Sequence, residues 1–338
     1  MSWDEDRRGL EQAVNAATGA DPKNPAVRAA SEMAGVGAQY LDSVAGLAEP
    51  LTTADGRPWS QMSAAEQGAA VLRRTQETVG TALGAMNVLQ DMADVGFANL
   101  TAGVAALFPE FPAATLTDLY VGVPHAHAHP PSLIPPAPPL PLPSLGTILY
   151  GTCVSVLISS LPAARSGDIG VAPTCGGLAP FFQIKTGSSN VFIGGSRAAR
   201  TLDVCIVCGK GEGRSLDKVE MAVGTLGIAA DAADAATAAD PAMAAANALS
   251  AAMGAAQLAA DAVAMAMTAA MGTDPCTPPV LGPPGLGAVT TGKGNVIIGG
   301  FPMVNIPDPA GPLLNALKRL GKKAAKKLGG KCGKCGCP

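Results

Sequence analysis

Gly187-Ser-Ser-Asn-Val-Phe-Ile-Gly-Gly-Ser-Arg-Ala-Ala-Arg-Thr-Leu-Asp203 decides the fold, because the chain repeats it. Gly292-Lys-Gly-Asn-Val-Ile-Ile-Gly-Gly-Phe-Pro-Met-Val-Asn-Ile-Pro-Asp308 has the same length and shares the Gly, Asn-Val-x-Ile-Gly-Gly and Asp positions. An earlier copy, Val154 to Asp168, aligns on Val156-Leu-Ile158 and on Pro162-Ala-Ala-Arg165-Ser-Gly-Asp168. Each unit is a β-branched run, a glycine or serine turn and a short return strand, which is how a β-hairpin is written. One such unit cannot bury its own apolar face, so three of them predict stacking about a shared axis.

Pro162-Ala-Ala-Arg165-Ser-Gly-Asp168 matches in full the phrase that names the PAAR-repeat proteins, and the chain resembles that family. Arg197-Ala-Ala-Arg200-Thr-Leu-Asp203 keeps Ala-Ala-Arg and Asp but loses Pro and Gly, and Phe301-Pro-Met-Val-Asn305 keeps little beyond its preceding hairpin. The resemblance covers residues 125–210 and 274–308. It implies a pointed β-cone that caps the spike of a bacterial type VI secretion system.

Composition sets other bounds. Aromatic residues are 4% and charged residues 14% of the 338, while Gly (41) and Pro (29) are plentiful. Few large side chains are available to fill a broad core, so thin elements and small-residue helix packing are expected. A net charge of −3 makes no case for nucleic acid. The start, Met1-Ser-Trp-Asp-Glu-Asp-Arg-Arg, is charged and no compact apolar run follows it, so a cytoplasmic origin is expected, with export of the folded protein. Eight cysteines in such a protein point to metal or reduced thiols before disulfides.

Read along the chain, residues 1–121 form an N-terminal helical region. Ser63-Ala-Ala-Glu66 fits a capping box, and Val79, Leu83, Met86, Leu89 and Ala93 trace one apolar stripe. Asp91 and Asp94 read as a solvated face. Residues 122–145 are a His/Pro-rich extended lead-in. Hairpins one and two occupy 146–214 and the third 273–310. The interval from Asp203 to Asp308 is three times that from Asp168 to Asp203, and the excess is an Ala-rich stretch, 215–272, broken by Pro241. It predicts an inserted helical hairpin. Residues 311–338 are a basic, cysteine-containing tail. The fold class is therefore α+β: a three-hairpin β-cone with an N-terminal helical region and an inserted helical hairpin.

His125, His127 and His129 alternate with alanine, and in extended chain they share one face. Cys175 follows Asp168, Cys205 and Cys208 follow Asp203, and Cys276 precedes the third hairpin. Imidazole and thiolate suit a tetrahedral zinc site, and four protein donors leave no position for a reacting water. The resemblance implies a structural Zn²⁺ at the tip, held by His129 or His127, Cys175, and Cys205 or Cys208. The competing interpretation makes the histidines a solvated linker and the cysteines gap fillers. Cys153 reads as core. Cys332-x-x-Cys335-x-Cys337 has too few donors for a site.

No catalytic constellation is present, so the chain is read as a non-enzyme. The resemblance implies a spike-tip adaptor that caps a VgrG-type trimer, probes the target envelope and delivers cargo. A Rhs shell with its toxin is the cargo class, and an effector-loading chaperone is the partner for apolar helices. The protein would begin in the cytoplasm and leave through a contractile injection apparatus. The alternative is a membrane-active effector, in which Pro241–Ala260, uncharged throughout, and the N-terminal helices enter the target membrane.

Overall fold

The computed structural model describes residues 24–53, 56–124, 143–175, 180–207, 217–271 and 285–305. Most of the His/Pro-rich lead-in and the whole basic tail lie outside them.

Helix α1 (Pro25–Gly46) starts at Asn24, whose side chain accepts the Ala26 N–H, with proline in the first turn. Helix α2 (Ala64–Leu100) starts at the expected capping box: Ser63 accepts from Glu66 N, and Glu66 accepts from Ser63 N at 2.6 Å. A one-turn helix, α3 (Ala102–Ala105), follows. The insertion forms α4 (Asp217–Thr237) and α5 (Pro241–Ala270), the latter capped by Asp240 with Pro241 in its first turn. Helix α2 packs on α1 and on α4, and α4 packs on α5. Gly96 lets Met33 of α1 approach the α2 backbone, where a Cβ would clash with its sulfur. Leu89 and Ala93, expected on the buried stripe, are exposed. Two neighbours on different sides of α2 leave that face outward.

Six strands close into an antiparallel barrel. They are β2 (Leu119–Gly122), β3 (Leu145–Tyr150), β6 (Ile169–Val171), β7 (Phe181–Ile184), β11 (Val204–Val207) and β12 (Leu286–Val289). Below the barrel hang three arms. The first pairs β4 (Cys153–Ile158) with β5 (Leu161–Ala163), and the second pairs β9 (Phe192–Ile193) with β10 (Ser196–Arg197). Their turns, Ser159-Ser160 and Gly194-Gly195, have both residues at positive φ, as two-residue turns matched to strand twist require.

The third arm corrects the sequence reading. Its descending strand, β13 (Lys293–Ile298), does not fold back on itself. It pairs with β1 (Phe111–Ala113), far upstream, with Phe111 opposite Ile298. The chain after β13 continues as β14 (Pro302–Val304) and pairs with β8 (Thr186–Ser188) of the second arm. The expected all-helical region up to residue 121 therefore contains two strands of the β-structure. The physical reason is that a ring of three hairpins must be cut somewhere to have two ends, and this chain is cut at the third turn.

Candidate functional site

The cut explains why the third hairpin keeps little of the motif after its descending strand. Pro112-Ala-Ala-Thr115-Leu-Thr-Asp118 stands beside β13 as Pro162–Asp168 stands beside β4. Counted from proline to aspartate, the spacing is the same in both, and the same again from Arg197 to Asp203. The signal was present as Pro-Ala-Ala followed by Asp, obscured because its hairpin partner lies at the other end of the domain.

The three motifs close a ring about a pseudo-threefold axis. Ala164 N donates to Ala114 O (2.9 Å), Ala199 N to Ala164 O (3.0 Å) and Ala114 N to Ala199 O (2.9 Å). All three alanines are buried, so nothing larger than a methyl group fits at the axis. Each motif aspartate then accepts the backbone N–H three residues before it: Asp118 from Thr115 (2.7 Å), Asp168 from Arg165 (2.7 Å), Asp203 from Arg200 (2.8 Å). The residue just before each aspartate is left-handed: Thr117, Gly167 and Leu202, at φ 72, 102 and 71. That is why the motif favours glycine there.

The motif arginines connect neighbouring arms. Arg165 donates to Gly194 O in the second turn (2.9 Å) and to Gly151 O. Arg200 donates to Gly299 O (2.8 Å) and Gly300 O, holding the end of the opened third arm. Thr115 occupies the equivalent place in the first motif and is too short for this reach. Its hydroxyl stays local, on Asp118 at 2.9 Å. Burial raises the pKa of Asp203 above the usual carboxylate value, against the opposing pull of Arg200 and Thr186.

Inside the barrel, large residues face glycines. Tyr120 and Phe182 stack with centroids 4.1 Å apart. A Cβ on Gly170 would run into Phe182, and one on Gly287 into Tyr120. Cys205 lies in this same cluster, fully buried, two residues after Asp203 as Tyr120 is after Asp118. Burial pushes its thiol well up. Cys205 therefore packs among the core side chains of the barrel. Cys153 is buried too, as expected.

Three connections leave the barrel at the end away from the arms. Each is closed by one hydrogen bond: Gly122 N to Ser144 O (2.6 Å), Ala172 N to Pro180 O (2.6 Å) and Val207 N to Gly285 O (2.7 Å). Cys175 ends a short 3-10 turn, Pro173–Cys175, in the second connection. Thr174 ties that turn to the first connection, accepting from Leu145 N and donating to Pro143 O (3.2 Å). His127 and His129 belong to the first connection and Cys208 to the third, and all three lie outside the described residues. Among the described residues no group of three His, Cys, Asp or Glu side chains gathers to hold a metal.

At the opposite end the arms expose apolar side chains. Leu157, opposite Pro162, is 61% exposed, and Ile297, opposite Pro112, is 49% exposed. The second arm has Phe192 opposite Arg197. Arg197 replaces the proline of the other two motifs and is fully buried, under Phe192 with its guanidinium 4.8 Å from the ring centroid. It donates to Ser189 O (3.0 Å) and to Asp94 Oδ1 of α2 (2.7 Å). Asp94, read from sequence as a solvated face, is instead the residue that docks α2. Burial raises its pKa, and burial lowers that of Arg197, in each case against the partner's charge. Helix α5 docks through Gln257, which accepts from Val154 N at 2.8 Å, and through Asp261, 3.5 Å from Arg165.

The three Ala-Ala-x-x-x-Asp motifs thus form a threefold ring beneath a six-stranded barrel. Residues 144–210 match the PAAR motif family, and this match supports a PAAR-repeat protein. That family is structural rather than catalytic and belongs to type VI secretion. No curated protein and no solved structure matches the chain.

Proposed function

We propose that this protein caps a VgrG-type trimeric spike with the exposed ends of its arms, its opposite end forming a metal-pinned point that leads envelope penetration. The pseudo-threefold ring at Ala114, Ala164 and Ala199 carries this reading. A single chain can sit on the axis of a trimer only if it offers three near-equivalent contacts, and three arms do so. Leu157, Phe192 and Ile297 supply apolar contact, and the short strands offer backbone edges for pairing.

At the other end, His127, His129, Cys175 and Cys208 are the donors that would hold zinc, which supplies a structural cross-link and no reaction. All of them stand on the three connections that leave one end of the barrel. His125 follows Asp118 at the same interval as Cys175 follows Asp168, and belongs in the same test. A narrow end with few side chains gains most from such a staple. As an adaptor, the protein would carry an Rhs-type cargo from the producing cell, with a chaperone on its apolar helices.

Metal content of the purified chain and its affinity for the trimeric spike test both halves. About one zinc per chain is expected, lost together with thermal stability in His129→Ala, Cys175→Ser and Cys208→Ser. A metal-free chain of equal stability removes the pinned point, and failure to bind the spike removes the cap. Helix α5 is the observation behind the membrane-active reading: among the described residues it alone is long and apolar enough to cross a bilayer. Co-sedimentation of the chain with lipid vesicles, abolished by Leu249→Lys, is the result that reading requires.

A further inference from the structure

The three motifs brace one another in a fixed cyclic order. Thr115 bridges to Ala163, Arg165 to Ala198 and Arg200 to Ala113, so each motif leans on the next around the ring. The two arginines follow that order outward. Arg165 reaches Gly194 O of the second arm (2.9 Å), and Arg200 reaches Gly299 O of the third (2.8 Å). Each also lies against its own motif aspartate, 3.5 Å from Asp168 and 3.4 Å from Asp203. An arginine in place of Thr115 would pair with Asp118 and reach Ser159, which follows Ile158 as Gly194 follows Ile193 and Gly299 follows Ile298. Threonine brings no charge and is too short for the reach.

Both places are nevertheless filled, from β13. Lys293 Nζ lies 3.3 Å from Asp118 Oδ1, and the Asp118 side chain is only 4% exposed. Two residues further along the strand, Asn295 Oδ1 accepts Ser159 Oγ at 2.9 Å. Lys293 stands opposite Ala113 as Cys153 stands opposite Ala163. In the second arm the same place holds Ser188, whose N–H donates to Ala198 O. A lysine therefore occupies this position only in the copy whose motif lacks the arginine.

We propose that β13 is a strap that completes the Pro112–Asp118 motif, with Lys293 and Asn295 dividing between them the work of the missing arginine. Lys293 supplies a counter-charge to a buried carboxylate, beside the neutral donors Thr115 and Thr291. Asn295 links the third arm to the turn of the first, so that the bracing runs all the way round. The cut arm gives the reason for the division. β1 and β13 are far apart in sequence, and whatever joins them also closes the ring. An arginine at position 115 would bond the aspartate of its own segment, whereas a cation on β13 ties the two segments together. Because β13 follows the α4–α5 insertion, ring closure waits on the chain beyond that insertion.

The test uses the full chain, with Lys293→Met, Thr115→Arg and the two together compared by melting temperature and amide hydrogen exchange. Lys293→Met keeps the apolar stem and removes the charge. It should lower the melting temperature and speed exchange about threefold or more over residues 113–118 and 293–298 together, leaving residues 191–198 unchanged. Thr115→Arg should restore both readouts in the Lys293→Met background and add nothing in the natural one, because Asp118 needs a single counter-charge. Where Thr115→Arg fails to fold, Asp118→Asn replaces it, and Lys293→Met should then cost nothing further. Asn295→Ala should speed exchange over residues 158–161 and leave residues 113–118 at their natural rate. A Lys293→Met protein with natural stability and exchange overturns the strap. So does a full Lys293→Met loss that persists beside Thr115→Arg or Asp118→Asn, since the lysine would then act independently of the motif. Natural exchange over residues 158–161 in Asn295→Ala overturns the division of work.

Discussion

Replacing Asp94 with alanine should loosen α2 from the β-structure while leaving the arms paired. The structure sets the magnitude. Arg197 makes a charge-assisted bond to Asp94 at 2.7 Å, and its side chain is 1% exposed against 15% for Asp94. Asp94→Ala leaves that guanidinium with its carbonyl partners Ser188 and Ser189 and the Phe192 ring, but without a counter-charge. Loss of one hydrogen bond between charged groups costs about 2 kcal/mol. Arg197→Ala should cost about 3 kcal/mol, because two backbone carbonyls are also left without their donor.

The pair is a device for docking rather than a net source of stability. Burial shifts both groups toward their neutral forms despite the partner's attraction. Asp94→Leu with Arg197→Met should therefore lie within about 1 kcal/mol of the natural protein, because neither charge is left stranded. Urea unfolding followed by fluorescence gives the cycle, and hydrogen exchange over residues 88–100 and 188–198 locates it. An Asp94→Ala protein as stable and as protected as the natural one would refute the docking assignment. So would a double variant whose cost equals the sum of the singles.

Leu202 is left-handed at φ 71 and largely exposed, so Leu202→Gly should stabilise by about 1 kcal/mol in urea unfolding. Arg200→Ala should release the end of the third arm, costing about 3 kcal/mol and raising hydrogen exchange over residues 293–304 above that of the first arm. Asp203 and Asp94 both have raised pKa values, so the folded state holds protons that the unfolded state has lost. Their contribution makes the fold more stable as pH falls from their raised values toward the ordinary carboxylate range, and less stable as pH rises through that window. Asp203→Asn should flatten this part of a profile of urea midpoint against pH.

The sequence showed clearly whatever was local. Ser63 and Glu66 formed their box, Pro241 opened a helix, and Val154–Asp168 and Gly187–Asp203 became hairpins, because each depends on residues only a few positions apart. What stayed hidden was non-local. β1 and β13 lie far apart in sequence, and Pro112–Asp118 reads as the end of a helical region until its partner is known. The role of Asp94 was equally invisible, since helix periodicity places a carboxylate on a face without saying what covers that face. The placement of Cys205 was hidden for a different reason: its spacing after the motif says nothing of the strand alternation that sends it inward among Tyr120 and Phe182.

The opened third arm also explains where the motif departs from its own pattern. In the first two arms a covalent two-residue turn joins the strands. In the third the ends are held by pairing between β1 and β13 and by Arg200 on Gly299 and Gly300. The second motif can lose proline because Arg197 is needed to hold α2, but it cannot lose Arg200, which secures the only arm without a turn. Thr115 makes no such reach, and its hydroxyl stays on Asp118. The varying positions reach outward from the ring, to a neighbouring arm or to α2, where each copy meets different surroundings. The positions that do not vary, the paired alanines and the aspartate, build the ring at the axis, where connectivity offers no substitute.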